Sequence, residues 1–151
     1  MDGIQNFVEQ MHQARDASHS KDHKYIEKWA NGELTRKQMG FYTVMHYQFV
    51  TEYLNWLAYI WSHCPEDEVR FQILDNLREE EDPENRHMDM ILDFSIACGY
   101  SPEEVKAATM LPTTEALTDW GWRLVYQKPW QVAITALIIG LESQPPDIYR
   151  R

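Results

Sequence analysis

The sequence specifies an all-α fold, a bundle of about seven helices joined by short connections, and three features predict it. Apolar residues recur at spacings of three and four through most of the chain. Helix-capping signals interrupt that pattern at short intervals, among them Asn31-Gly32, Thr35 with Gln38, and Ser101-Pro102-Glu103-Glu104. Strand signals are weak, because no hairpin dipeptide lies between alternating apolar runs.

Residues 3 to 30 carry helical periodicity, loosened around Asp16 to Asp22, and close at Asn31-Gly32, where both residues tolerate positive φ. Thr35 opens the next helix, since its hydroxyl can cap free backbone donors and Gln38 completes a capping box. From there to about Ser62 the residues Phe41, Val44, Met45, Phe49, Tyr53, Trp56, Leu57 and Ile60 mark a long helix with one buried face. A third helix is expected from Pro65, followed by acids that suit the positive end of its dipole, through Val69, Ile73 and Leu77 to Glu79-Glu80-Glu81. Asp82-Pro83-Glu84 repeats the start pattern and predicts a fourth helix to about Cys98, ending at Gly99. Ser101-Pro102 begins a short helix that stops before Leu111-Pro112. Thr113 or Thr114 is expected to cap the next, which extends to about Gln127, and Pro129 starts a further one through Glu142.

The chain has 151 residues, the length of a single helical domain with one core. Its net charge of −10 argues against nucleic-acid binding, which needs a basic face. It lacks a run of roughly 18 apolar residues and a basic-then-apolar leader, so the expectation is a cytoplasmic protein with no membrane partner. Cys64 and Cys98 form no Cys-x-x-Cys pair and read as reduced thiols. Six Trp, eight Tyr and five Phe favour a sizeable interior, with room for a small-molecule pocket.

Two features carry possible chemistry. Glu142 ends the most apolar segment of the chain, residues 132–141, which reads as a helix enclosed by others. A buried carboxylate there needs an arginine, hydrogen-bond donors or a metal; otherwise the helix frays at Ser143 and Glu142 turns to water. The second feature is NLREEEDPENRH, residues 76 to 87. Glu80 and His87 would share a face of an uninterrupted helix, but Pro83 intervenes. Glu80 is therefore expected to end one helix and His87 to lie in the second turn of the next, with the junction deciding whether Glu79, Glu80 or Glu81 points inward. A carboxylate with an imidazole suits iron or manganese, whose remaining positions can take dioxygen; the alternative is a solvated acidic cap. His46 lies among Tyr42, Phe49 and Tyr53, as a core histidine or else a pocket wall or a proton donor. His12, His19, His23 and His63 sit near polar neighbours or helix ends and read as solvated. Tyr25 and Tyr42 are further pocket candidates, because a tyrosine near activated oxygen can supply an electron and a proton.

The segments HKYIEKWANGELTRKQMGFY, CPEDEVRFQILDNLREEE, HMDMILDFSIACGYSPEEV, LPTTEAL and LESQPPDIY follow in order from about His23 to Ile148. Together they resemble the haem-oxygenase-like superfamily, which contains PqqC, TenA and the CADD-type di-iron oxidases. The resemblance implies a metal set of Glu80, His87 and Glu142, with two Fe ions or an Fe/Mn pair as cofactor and dioxygen as co-substrate. Members of the di-iron branch carry a further C-terminal helix with a His-Asp-His set. Only nine residues follow Glu142, none of them histidine, so the chain reads as C-terminally truncated relative to the family.

The implied function is a di-iron oxidase or oxygenase acting on a small organic substrate, as a homodimer, and Tyr25, Tyr42 and His46 are the candidate catalytic residues beside the metal set. The resemblance leaves the outcome open among oxidative decarboxylation, desaturation, C–C cleavage and N-oxygenation. Alternatives are a cofactorless oxidase like PqqC and a non-catalytic helical interaction module that keeps half a site. A TenA-type thiamine-salvage enzyme ranks lower, because neither cysteine falls in a segment resembling its nucleophile.

Overall fold

The computed structural model describes residues 3–150, and every regular element among them is helical. In order these are α1 (Gly3–Asp16), a 3-10 turn (Ser20–Asp22), α2 (Lys24–Ala30), α3 (Arg36–His63), α4 (Asp67–Glu80), α5 (His87–Ala97), α6 (Pro102–Lys106), α7 (Pro112–Gln127), α8 (Trp130–Leu137), a π turn (Ile138–Glu142) and α9 (Pro145–Tyr149). No helix among the described residues is long and apolar enough to cross a membrane. The chain forms two compact units, Thr35–Ala133 and Met1–Leu34 with Ile134–Arg151.

The spine of the unit Thr35–Ala133 is α3, whose 28 residues span about 42 Å. It starts where expected: Gln38 N–H donates to Thr35 Oγ1 at 3.3 Å and Thr35 N–H donates to Gln38 Oε1 at 2.9 Å. It ends at Cys64, which the following Pro65 holds in an extended conformation. Along its length Val44, Met45, Val50, Tyr53, Trp56, Leu57 and Ile60 are buried at three- and four-residue spacing, and α4, α5, α6 and α7 pack against it.

Small residues allow those helices to approach. A methyl group on Gly121 of α7 would be driven into the Trp56 ring, and one on Gly40 would meet the Cys98 Cβ and Tyr100 of the α5–α6 segment. Two polar side chains of α3 find partners across the same contacts. The hydroxyls of Thr43 and Ser95 meet at 2.8 Å, and Gln48 Nε2 donates to the Val105 carbonyl at 2.7 Å.

Several helix starts differ from the sequence expectation. Pro65 lies before α4, which begins at Asp67 with Glu66 at the cap position. Neither Thr113 nor Thr114 caps α7; Leu111 is the cap and Pro112 takes the first helical position, where its fixed φ suits the turn. Asp82-Pro83-Glu84 does not open a helix. Asp82 Oδ1 accepts the Glu84 N–H at 3.1 Å, a local turn, and Arg86 forms a two-pronged pair with Glu81 at 2.7 and 3.2 Å. These contacts hold residues 82–86 in turns until α5 begins at His87.

In the other unit, α2 ends in a Schellman arrangement. Gly32 has φ +70, and the Glu33 N–H bonds the Lys28 carbonyl at 2.9 Å. Here Arg15 Nη1 donates to Ser143 Oγ at 2.7 Å, and the Ser20 N–H donates to Gln144 Oε1 at 2.9 Å. His19 is buried rather than solvated: its Nδ1 accepts the Lys21 N–H at 3.0 Å and its Nε2 lies 3.3 Å from Asp147 Oδ2. These contacts fasten the segment after the π turn to the end of α1 and the residues that follow it.

Candidate metal centre

Two of the three residues expected as metal ligands meet. Glu80 is the last residue of α4 and His87 the first of α5, and Glu80 Oε2 lies 2.7 Å from His87 Nδ1. Their sequence separation spans the 82–86 turns, so His87 sits in the first turn of its helix and not the second. The structure also chooses among the three consecutive glutamates. Glu79 and Glu81 are exposed, and Glu81 is committed to Arg86, whereas the Glu80 side chain is only 10% exposed. A carboxylate removed from water needs a compensating donor, and His87 supplies one.

Glu142 closes the π turn, in the unit Met1–Leu34 with Ile134–Arg151, and is half-buried. Single π turns recur at functional sites. The apolar segment before it is not enclosed all round: Ala133 and Leu137 are buried, but Val132 and Ile138 are exposed.

His46 lies on α3, stacked 5.5 Å from Tyr42 and 5.9 Å from Phe49. Burial strips water from its cationic form and lowers its pKa from 6.5 to about 4, so it is neutral near pH 7. Tyr42 therefore stacks on a neutral imidazole. Tyr25 lies on α2 in the other unit, with its ring edge-on to Trp29 at 5.8 Å. His23, expected to be solvated, is exposed and caps α2, with its Nδ1 accepting the Tyr25 N–H at 3.1 Å.

An oxygen and a nitrogen donor converging at a helix junction fit part of an iron or manganese site. No group of three or more His, Cys, Asp or Glu side chains forms a metal cluster among the described residues. One polar contact escaped sequence reasoning altogether: Trp122 Nε1 donates to Glu52 Oε2 at 2.8 Å. Glu52 and Trp122 are far apart in the chain, and only the packing of α7 on α3 pairs them.

A profile of the TENA/THI-4/PQQC family matches residues 8–150. The chain belongs to that family. The family lies within the haem-oxygenase-like superfamily, and the all-helical architecture agrees with its helical-bundle fold. Curated relatives are named 4-aminobenzoate synthase. The protein of that name from Chlamydia trachomatis is 34% identical over 150 residues, 99% of this chain and 64% of its own length. One from Chlamydia muridarum is 34% identical over 68% of this chain and 43% of its own length. One from Nitrosomonas europaea is 26% identical over 94% of this chain and 61% of its own length. The chain thus spans less than two thirds of the length of these family members.

Proposed function

We propose that this chain supplies part of the metal site and the aromatic pocket of a dioxygen-activating oxidase, with two iron ions or an iron–manganese pair as cofactor. The observation that carries the reading is the 2.7 Å approach of Glu80 Oε2 to His87 Nδ1, which brings together two residues of the ligand set implied by the family resemblance. Glu142 is the third proposed ligand. When bound, the metal pair would supply electrons to dioxygen and hold it near the substrate. The chain's own residues have separate tasks. Glu80 offers a carboxylate that offsets metal charge, and His87 offers an imidazole nitrogen. Tyr42 and Tyr25 are proposed donors of an electron and a proton, and His46, stacked on Tyr42, is a proposed wall of the pocket.

The relatives' name, 4-aminobenzoate synthase, supports a small aromatic amine as the product of the whole protein. Native mass spectrometry after anaerobic loading with ferrous iron tests the reading. Retained iron that is lost in both Glu80→Gln and His87→Ala is the expected result. Iron retention that is absent, or unchanged by both substitutions, would refute it and favour a helical interaction module.

A further inference from the structure

A connected series of aromatic rings crosses the unit Thr35–Ala133 from its core to its surface. Tyr53 and Phe49 on α3 meet Trp56 edge-on or nearly so, at 6.4 and 5.7 Å. Trp56 meets Trp122 of α7 at 6.5 Å, and Trp122 stacks on Tyr126 at 5.2 Å with an interplanar angle of 18°. Tyr126 in turn meets Tyr59 at 4.8 Å. Trp56 is fully buried, while Tyr126 is 61% exposed. Packing of rings is ordinary in a helical core. What sets this series apart is the difference between its two indoles. The Trp56 N–H is buried without a hydrogen-bond partner among the described residues. The Trp122 N–H donates to Glu52 Oε2 at 2.8 Å.

We propose that Trp56, Trp122 and Tyr126 form a relay that carries one oxidising equivalent from the core to the surface, with Glu52 as the proton acceptor of Trp122. An indole that loses an electron becomes a radical cation and a strong acid at its ring nitrogen. At Trp56 no acceptor takes that proton, so the positive charge stays in an apolar setting, which is costly. At Trp122 the proton passes to Glu52 across a distance suited to transfer, leaving a neutral indolyl radical. The difference drives the electron vacancy from Trp56 to Trp122. Tyr126 then gives an electron to Trp122 and its phenolic proton to water, while Glu52 returns the proton to the indole nitrogen. The net change is one electron from Tyr126 to the interior oxidant and one proton to solvent. A dissolved thiol or ascorbate restores Tyr126 by supplying one electron and one proton. The oxidant is a dioxygen-derived one-electron oxidant formed within the protein; only its origin rests on the oxidase reading. The relay would discharge such an oxidant when no substrate is bound.

The test needs no metal, so it fails or succeeds independently of that reading. A laser pulse photoionises the indole rings of the full chain, dissolved hexaamminecobalt(III) takes up the ejected electrons, and transient absorption follows the radicals. The expected result is conversion of indole radical to phenoxyl radical at a rate unaffected by dilution of the protein. That phase should be lost in Tyr126→Phe and in Trp122→Phe, and the indole radical cation should persist longer in Glu52→Gln. Tyr126 is exposed, so its substitution leaves folding intact should Trp122→Phe disturb it. A phenoxyl phase of unchanged rate and amplitude in Tyr126→Phe, or one whose rate scales with protein concentration, would overturn the proposal.

Discussion

His46 makes the fold sensitive to acid in a way that can be isolated. Its pKa falls from 6.5 to about 4 because burial between Tyr42 and Phe49 removes water from the imidazolium. Between those values the unfolded chain binds a proton at this position and the folded chain does not. The unfolded state is therefore favoured as pH falls, and the contribution is complete above about pH 6.5 and lost progressively toward about pH 4. The full shift corresponds to about 3 kcal/mol, of which about 2.5 kcal/mol is lost by about pH 4.5. His46→Phe keeps an aromatic ring in the stack and removes the titration. Its stability relative to the parent should rise by about 2.5 kcal/mol between about pH 7 and about pH 4.5, or roughly 5–10 °C in Tm. Paired thermal or urea unfolding at the two pH values measures this, and the subtraction cancels carboxylates common to both proteins. A difference between parent and variant that does not change with pH would refute the reasoning.

Other consequences concern packing, capping and the pocket. Gly121→Ala places a methyl group against the Trp56 ring; overpacking should exceed the gain in helix propensity and cost about 1–2 kcal/mol net, read as a lower urea midpoint. An unchanged midpoint would mean that α7 can shift away from α3 freely. Thr35→Ala removes the hydroxyl that accepts the Gln38 N–H and should cost about 1 kcal/mol in the same assay; no loss would show that α3 starts without its cap. In iron-loaded protein, Tyr25→Phe and Tyr42→Phe should each slow substrate-dependent oxygen consumption, and an unaltered rate would remove that tyrosine from the proposed chemistry.

The helix ends that were legible in the sequence are those set by neighbouring residues. Thr35 with Gln38, Ser101 with Glu104, and Asn31-Gly32 all act within one turn of the chain, and each appears as read. For the 82–86 segment the sequence points the wrong way, because Asp82-Pro83-Glu84 is compatible with both a helix start and a turn. The Arg86–Glu81 pair and the Asp82 turn settle the matter, and a cap motif does not reveal them. The polar neighbours of His19 suggest a solvated ring, yet Asp147 lies 3.3 Å from its Nε2, contributed by a segment far along the chain.

Composition and periodicity by themselves determined the helical class and the position of the long aromatic helix, because those signals repeat locally; the resemblance of ordered segments to a known superfamily singled out Glu80, His87 and Glu142. Only tertiary structure decided that Glu80 rather than Glu79 or Glu81 turns inward to meet His87, and that Glu52 receives the Trp122 N–H. Both outcomes depend on how one helix is rotated and seated against another. That rotation is set by the fit of many side chains, among them Trp56 over Gly121, and no spacing within a single helix encodes it.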